Sequence, residues 1–152
     1  MFFVLFGFCA IVIFVLVLNI DFDFIKDRRK ASEYEPTSEI ESLVSRMKLT
    51  DRGKTILYAS SPQLKSKKAF NGVCGGDGDP DAFVAGCYYE INGNEYIDVY
   101  DSGKEATELQ NAYYNYDNSK IVTLAHEMMH AAYARVSDKD KEWIEVELNN
   151  VY

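Results

Sequence analysis

The sequence predicts an α+β domain in which a small antiparallel sheet, built on one hairpin, packs on a long helix and is preceded by one transmembrane helix. Asn92-Gly93, a pair that readily supplies two positive φ angles, lies between the strand-like runs Phe83–Ile91 and Asn94–Tyr100. The second run alternates Tyr96, Asp98 and Tyr100 with Ile97 and Val99, as a half-buried strand does. Residues 118–136 contain no Pro or Gly and repeat Ile121, Leu124, Ala125, Met128, Ala132 and Tyr133 at three- and four-residue intervals, the mark of an amphipathic helix.

In chain order, residues 1–20 carry no charged side chain and as a helix would span ~30 Å, the thickness of a bilayer's hydrocarbon core. Val17-Leu18-Asn19-Ile20 offers no small-residue cleavage site, so the segment reads as an anchor rather than a cleaved signal. Residues 21–50 read as a juxtamembrane linker and a short helix. Asp21 to Pro36 is polar without an apolar period, and Ser38 with Glu41 gives a capping-box signal for a helix carrying Ile40, Leu43, Val44 and Met47.

Residues 51–152 make up the main domain. Thr55–Ala59 reads as a strand, and Ser61-Pro62 as the start of a short helix carrying Leu64 and Phe70. Gly72 to Gly86 reads as a loop. Its Asp77, Asp79 and Asp81 invite a calcium reading, but Tyr88 stands where an EF-hand needs its closing Glu, so a solvated acidic turn is expected. Gly103 to Tyr116 reads as a helix or long loop. Ser137, with Asp140 three residues on, restarts a helix carrying Trp143, Ile144, Val146 and Leu148.

A net charge of −8, with no basic stripe outside Lys65 to Lys68, excludes nucleic acid as a partner, because phosphate binding needs a cationic face. Lys26, Arg28, Arg29 and Lys30 follow the apolar span and favour a cytoplasmic position for what comes after it. Cys74 and Cys87 point the other way if they close the Gly- and Asp-rich loop as a disulfide, which needs an oxidising compartment. Two unlinked buried thiols are the alternative.

The two histidines of this chain both fall in His126-Glu127-Met128-Met129-His130. On a helix, positions i and i+4 lie ~40° apart in azimuth and ~6 Å apart along the axis, so both imidazoles can reach one metal ion. Zinc suits two such nitrogens, and Glu127 beside them suits a general base acting on water. The plainer reading is a pair of hydrogen-bonded histidines on a core helix. Met128 and Met129 read as core filler.

These residues also carry a resemblance. Leu57-Tyr58-Ala59-Ser60, Phe70-Asn71, Cys74, Gly86-Cys87-Tyr88, Tyr96-Ile97 and Ala125 through Arg135 resemble, in that order, stretches of a family of membrane-anchored bacterial metallopeptidases of the zincin type. The resemblance implies a zincin-like fold, a zinc ion on His126 and His130, Glu127 as catalytic base, and a Cys74–Cys87 disulfide in a domain outside the cytoplasm. It also implies a third ligand, a Glu in a later helical stretch resembling Asn-Glu-Leu-His-Ser, which this sequence lacks. A metzincin would need a third His where Val136 stands.

Glu145 is the nearest substitute, with Glu142 and Glu147 behind it, but the return from His130 is short, so a ligand outside these 152 residues is the stronger expectation. The chain stops in or just after a helix, as a part of a longer domain would. The expectation is therefore a single-pass membrane protein whose extracytoplasmic domain hydrolyses peptide bonds with zinc. Its peptide or protein substrate would lie along an exposed edge at Tyr96–Tyr100. The rival expectation is a membrane-tethered binding or scaffold protein with an incomplete zinc site.

Overall fold

The computed structural model describes residues 22–75, 84–101 and 116–151. Within them the order is α1 (Phe22–Glu33), α2 (Ser38–Met47), α3 (Asp51–Ala59), β1 (Pro62–Lys65), α4 (Lys67–Asn71), β2 (Gly86–Ile91), β3 (Asn94–Tyr100), α5 (Tyr116–Ala134) and α6 (Asp138–Val151). The class is α+β.

The hairpin forms where the sequence places it. Asn92 and Gly93 take φ of 52° and 76°, and β2 runs antiparallel to β3 from Ile91↔Asn94 to Gly86↔Val99. The sheet is nevertheless mixed rather than antiparallel. Strand β1 joins the other side of β3 in parallel, from Pro62↔Ile97 to Lys65↔Tyr100, giving the order β1-β3-β2. Tyr96–Tyr100 therefore belongs to the central strand, with no free edge for a substrate. A zincin fold is not shown by this arrangement.

Two neighbouring expectations are reversed for local reasons. Thr55–Ala59 is the second half of helix α3, because Thr50 caps that helix by accepting from the Gly53 N–H at 3.1 Å and Ile56, Leu57 and Ala59 bury one side of it. Ser61-Pro62 starts strand β1 instead of a helix. Ser61 turns the chain at φ 41°, and Pro62, which lacks an N–H, sits at the first residue of an edge strand where none is needed.

Residues 22–33, expected within a linker, form helix α1 packed on α3. The Arg52 guanidinium of α3 lies 5.2 Å from the Phe24 ring of α1, a cation–π contact. The anchor expected over residues 1–20 lies outside the described residues, and among the described residues no helix is long and apolar enough to cross a membrane. The expected membrane helix and single-pass membrane localisation are corrected on that finding. The acidic turn at Asp77, Asp79 and Asp81 and the stretch 102–115 also lie outside the described residues.

Capping signals elsewhere hold with small shifts. Helix α2 is capped by Thr37, one residue before the expected Ser38, through a bond from the Ile40 N–H to Thr37 Oγ1 at 3.3 Å. Helix α6 begins after Ser137, whose hydroxyl donates to Asp140 Oδ2 at 2.7 Å and accepts from the Asp140 N–H at 3.2 Å.

One face of the sheet and three helices enclose the core. Ile40, Leu43 and Val44 of α2, Ile56 and Leu57 of α3, Ile97 and Val99 of β3, and Leu124 and Ala131 of α5 form one buried cluster. Helix α5 thus lies across β2 and β3 with α2 and α3 on its other flank. That contact fixes which side of α5 faces outward.

Candidate functional site

Helix α5 buries Leu124 and Ala131 and packs Ile121, Met128 and Ala132 around them, which turns His126, Met129, His130 and Tyr133 outward. Met128 fills the core as expected. Met129 does not, at 68% exposed. The Nε2 atoms of His126 and His130 face each other at 3.2 Å, with the rings nearly perpendicular and their centroids 4.9 Å apart.

That separation meets a metal's requirement. Two nitrogens on a tetrahedral zinc ion at ~2.0–2.1 Å from it stand about 3.4 Å apart, so the pair is already set for two of the ion's positions. Without a cation, the same contact is filled by one ring nitrogen donating and the other accepting. A catalytic zinc normally takes three protein ligands. Among the described residues, no group of three His, Cys, Asp or Glu side chains is arranged to hold a metal ion. Glu142, Glu145 and Glu147 stand exposed on α6 and are not gathered with the histidines.

Glu127 points the other way around the helix. It is 6% exposed and lies against β2 at Gly86, with the Tyr88 backbone near its carboxylate. Burial raises its pKa above the usual carboxylate range. The nearby His126 and His130 imidazoles and the Tyr88 amide pull it part of the way back. The result is a carboxylate held away from bulk water yet within electrostatic reach of both imidazoles. A raised carboxylate pKa favours proton uptake, which a general base needs.

The disulfide is present. Cys74, at the end of the α4 region, is joined to Cys87 of β2 with the two Cα atoms 5.8 Å apart. Cys74 is buried, and its N–H donates to the Phe70 carbonyl at 2.8 Å. Phe70 in turn packs against Tyr100 of β3 with ring centroids 5.8 Å apart.

The partner of Glu127 was not expected from sequence, because it is backbone rather than side chain. A signal for it exists in Gly86. A glycine inside a strand often marks the close approach of another element. A Cβ at Gly86 would stand 2.9 Å from Glu127 Cγ and 2.5 Å from Thr123 Cγ2.

No family model, curated protein or solved structure matches this chain. The geometry around His126, Glu127 and His130 is what remains to carry a function.

Proposed function

We propose that this chain is a zinc-dependent hydrolase acting on peptide bonds, with His126 and His130 as metal ligands and Glu127 as general base. The observation that carries the reading is the convergence of two Nε2 atoms at 3.2 Å, with the buried Glu127 carboxylate within electrostatic reach of both rings. A bound zinc ion would supply Lewis acidity, acidifying water and polarising a carbonyl. Glu127 accepts the proton of the attacking water and delivers it to the leaving amine, a role its burial favours by keeping the protonated form accessible. The outward-facing Tyr133 and Met129 flank the histidines and offer apolar surface to a substrate.

The absence of a three-ligand group among the described residues favours a second reading, a metal-binding protein without turnover. Metal analysis and a cleavage assay separate the two. The purified chain should hold about one zinc ion, lost in His126→Ala and His130→Ala, and should cleave denatured casein, an activity lost in Glu127→Gln with zinc retained. Zinc without cleavage supports the second reading. A wild-type chain that takes up no zinc defeats both.

A further inference from the structure

Strand β2 packs closely on Glu127 at Gly86, runs near it again at Tyr88, and is gripped from behind at the residue between them. Side chains alternate across a strand, so Gly86 and Tyr88 face α5 while Cys87 faces the opposite side of the sheet. On the α5 side, a Cβ at Gly86 would lie 3.0 Å from Glu127 Oε1, so only a glycine leaves room for the carboxylate there. Two residues on, the Tyr88 backbone lies close enough to that carboxylate to stabilise its charged form.

The hydrogen-bond alternation of the hairpin explains why this amide is available. Tyr100 donates to the Ala85 carbonyl at 2.9 Å, which makes Ala85, Cys87 and Tyr89 the residues bonded to β3 in the antiparallel ladder. Tyr88, opposite Ile97, therefore directs its N–H off the outer edge of the sheet, because β2 is an edge strand. Glu127 is the carboxylate near that edge donor. On the other face Cys87 is tied to Cys74, whose segment is held on β3 by Phe70 against Tyr100.

We propose that β2 is a positioning clamp for Glu127, in which Gly86 admits the carboxylate, the Tyr88 amide holds it, and the Cys74–Cys87 cross-link keeps the strand in place. Gly86 and Tyr88 are positioning residues, since they act through Glu127 rather than on a substrate. The inference rests on the reading of Glu127 as the base and deepens it. Among the described residues this six-residue strand pairs on one side only, so the cross-link supplies a second hold.

The test uses the full, isotope-labelled chain and two readouts. Amide exchange at Tyr88 should be slow in the wild type and at least about tenfold faster in Glu127→Ala and in the double variant Cys74→Ser/Cys87→Ser. In both variants the amides of position 87 and of Tyr89 should stay protected by β3. With denatured casein as substrate, the cysteine pair variant should lose at least about tenfold in kcat, with KM within about twofold and zinc content unchanged. Gly86→Ala should behave likewise. Gly86→Ala/Thr123→Ala, which removes the methyl nearest the new Cβ but keeps the clash with Glu127, guards against simple misfolding.

Tyr88 exchange that is unchanged by loss of the disulfide overturns the clamp, as does a kcat that stays at the wild-type level once the amide is freed. A wild-type chain that binds zinc but cleaves nothing removes the base assignment, and the Tyr88 exchange then still decides the clamp by itself.

Discussion

Arg135 and Asp27 form a two-point ion pair, with Arg135 Nε 2.6 Å from Asp27 Oδ2 and Nη2 2.8 Å from Oδ1. The same guanidinium donates to Glu95 Oε2 at 2.6 Å and to the Ala131 carbonyl at 2.6 Å. Helix α1, strand β3 and the end of α5 therefore meet on one cation that is 14% exposed at its side chain. Breaking such a pair leaves its partners with uncompensated charge, which costs about 3–5 kcal/mol in buried settings. Arg135→Ala should lower unfolding free energy by about 3 kcal/mol in denaturant titration. Arg135→Lys should recover less than half of that loss, because an ammonium cannot make the planar two-point contact.

These ties explain what the sequence did and did not disclose. The hairpin at Asn92-Gly93 and the long helix α5 were legible because turn chemistry and apolar spacing act locally. Helix α1 was not, since it is held by contacts distant in sequence, among them the Asp27–Arg135 pair between residues 108 positions apart. The parallel pairing of β1 with β3 was equally hidden. It depends on a single turn at Ser61, a residue type with no strong preference for φ 41°. At the candidate site, His126 and His130 were visible from their spacing. The Tyr88 amide was not, because nearly every residue has one and only the sheet topology decides which of them points at a carboxylate.

Lys120 presents a second charged cluster inside the fold. Its ammonium lies 2.8 Å from both Glu39 Oε1 and Asp101 Oδ1, and its side chain is 6% exposed while that of Asp101 is 1% exposed. Lys120→Met keeps most of the aliphatic stem and removes the cation from a buried carboxylate. The expected loss is about 3 kcal/mol or more, measured by thermal or denaturant unfolding. A loss below about 1 kcal/mol would show that water or another group neutralises Asp101 without Lys120.

Asp98 sets a pH dependence of opposite sign to the usual carboxylate. Its side chain is buried, Oδ1 has no hydrogen-bond partner among the described residues, and Lys65 Nζ is 4.0 Å from it. Burial raises its pKa above the ordinary range, only partly offset by the Tyr89 hydroxyl, which donates to Oδ2 at 3.0 Å, and by Lys65. The folded state thus holds the proton more tightly than the unfolded chain. Its contribution to stability is full below the unfolded pKa and is lost as pH rises through the folded one. Asp98→Asn, which keeps an acceptor for Tyr89, should be more stable than the wild type at about pH 7 and equal to it near about pH 3. A midpoint gap that does not shrink on acidification would count against this account.

Zinc should stabilise the fold through the two histidines, because an ion that binds only the native state adds stability by mass action. At a free concentration of about one hundred times Kd the gain is about 2.7 kcal/mol, enough to raise a melting temperature by several degrees in a domain of this size. His126 and His130 both sit on α5, whose inner side holds Leu124 and Ala131 of the core, so the gain should appear in the global transition. Addition of zinc should raise the melting temperature of the wild type and of Glu127→Gln alike, since the latter keeps both nitrogens. His126→Ala and His130→Ala should each lose the shift, because one imidazole on an exposed helix face cannot chelate. An equal shift in all four proteins would place the bound zinc elsewhere and remove the 3.2 Å nitrogen pair from the site.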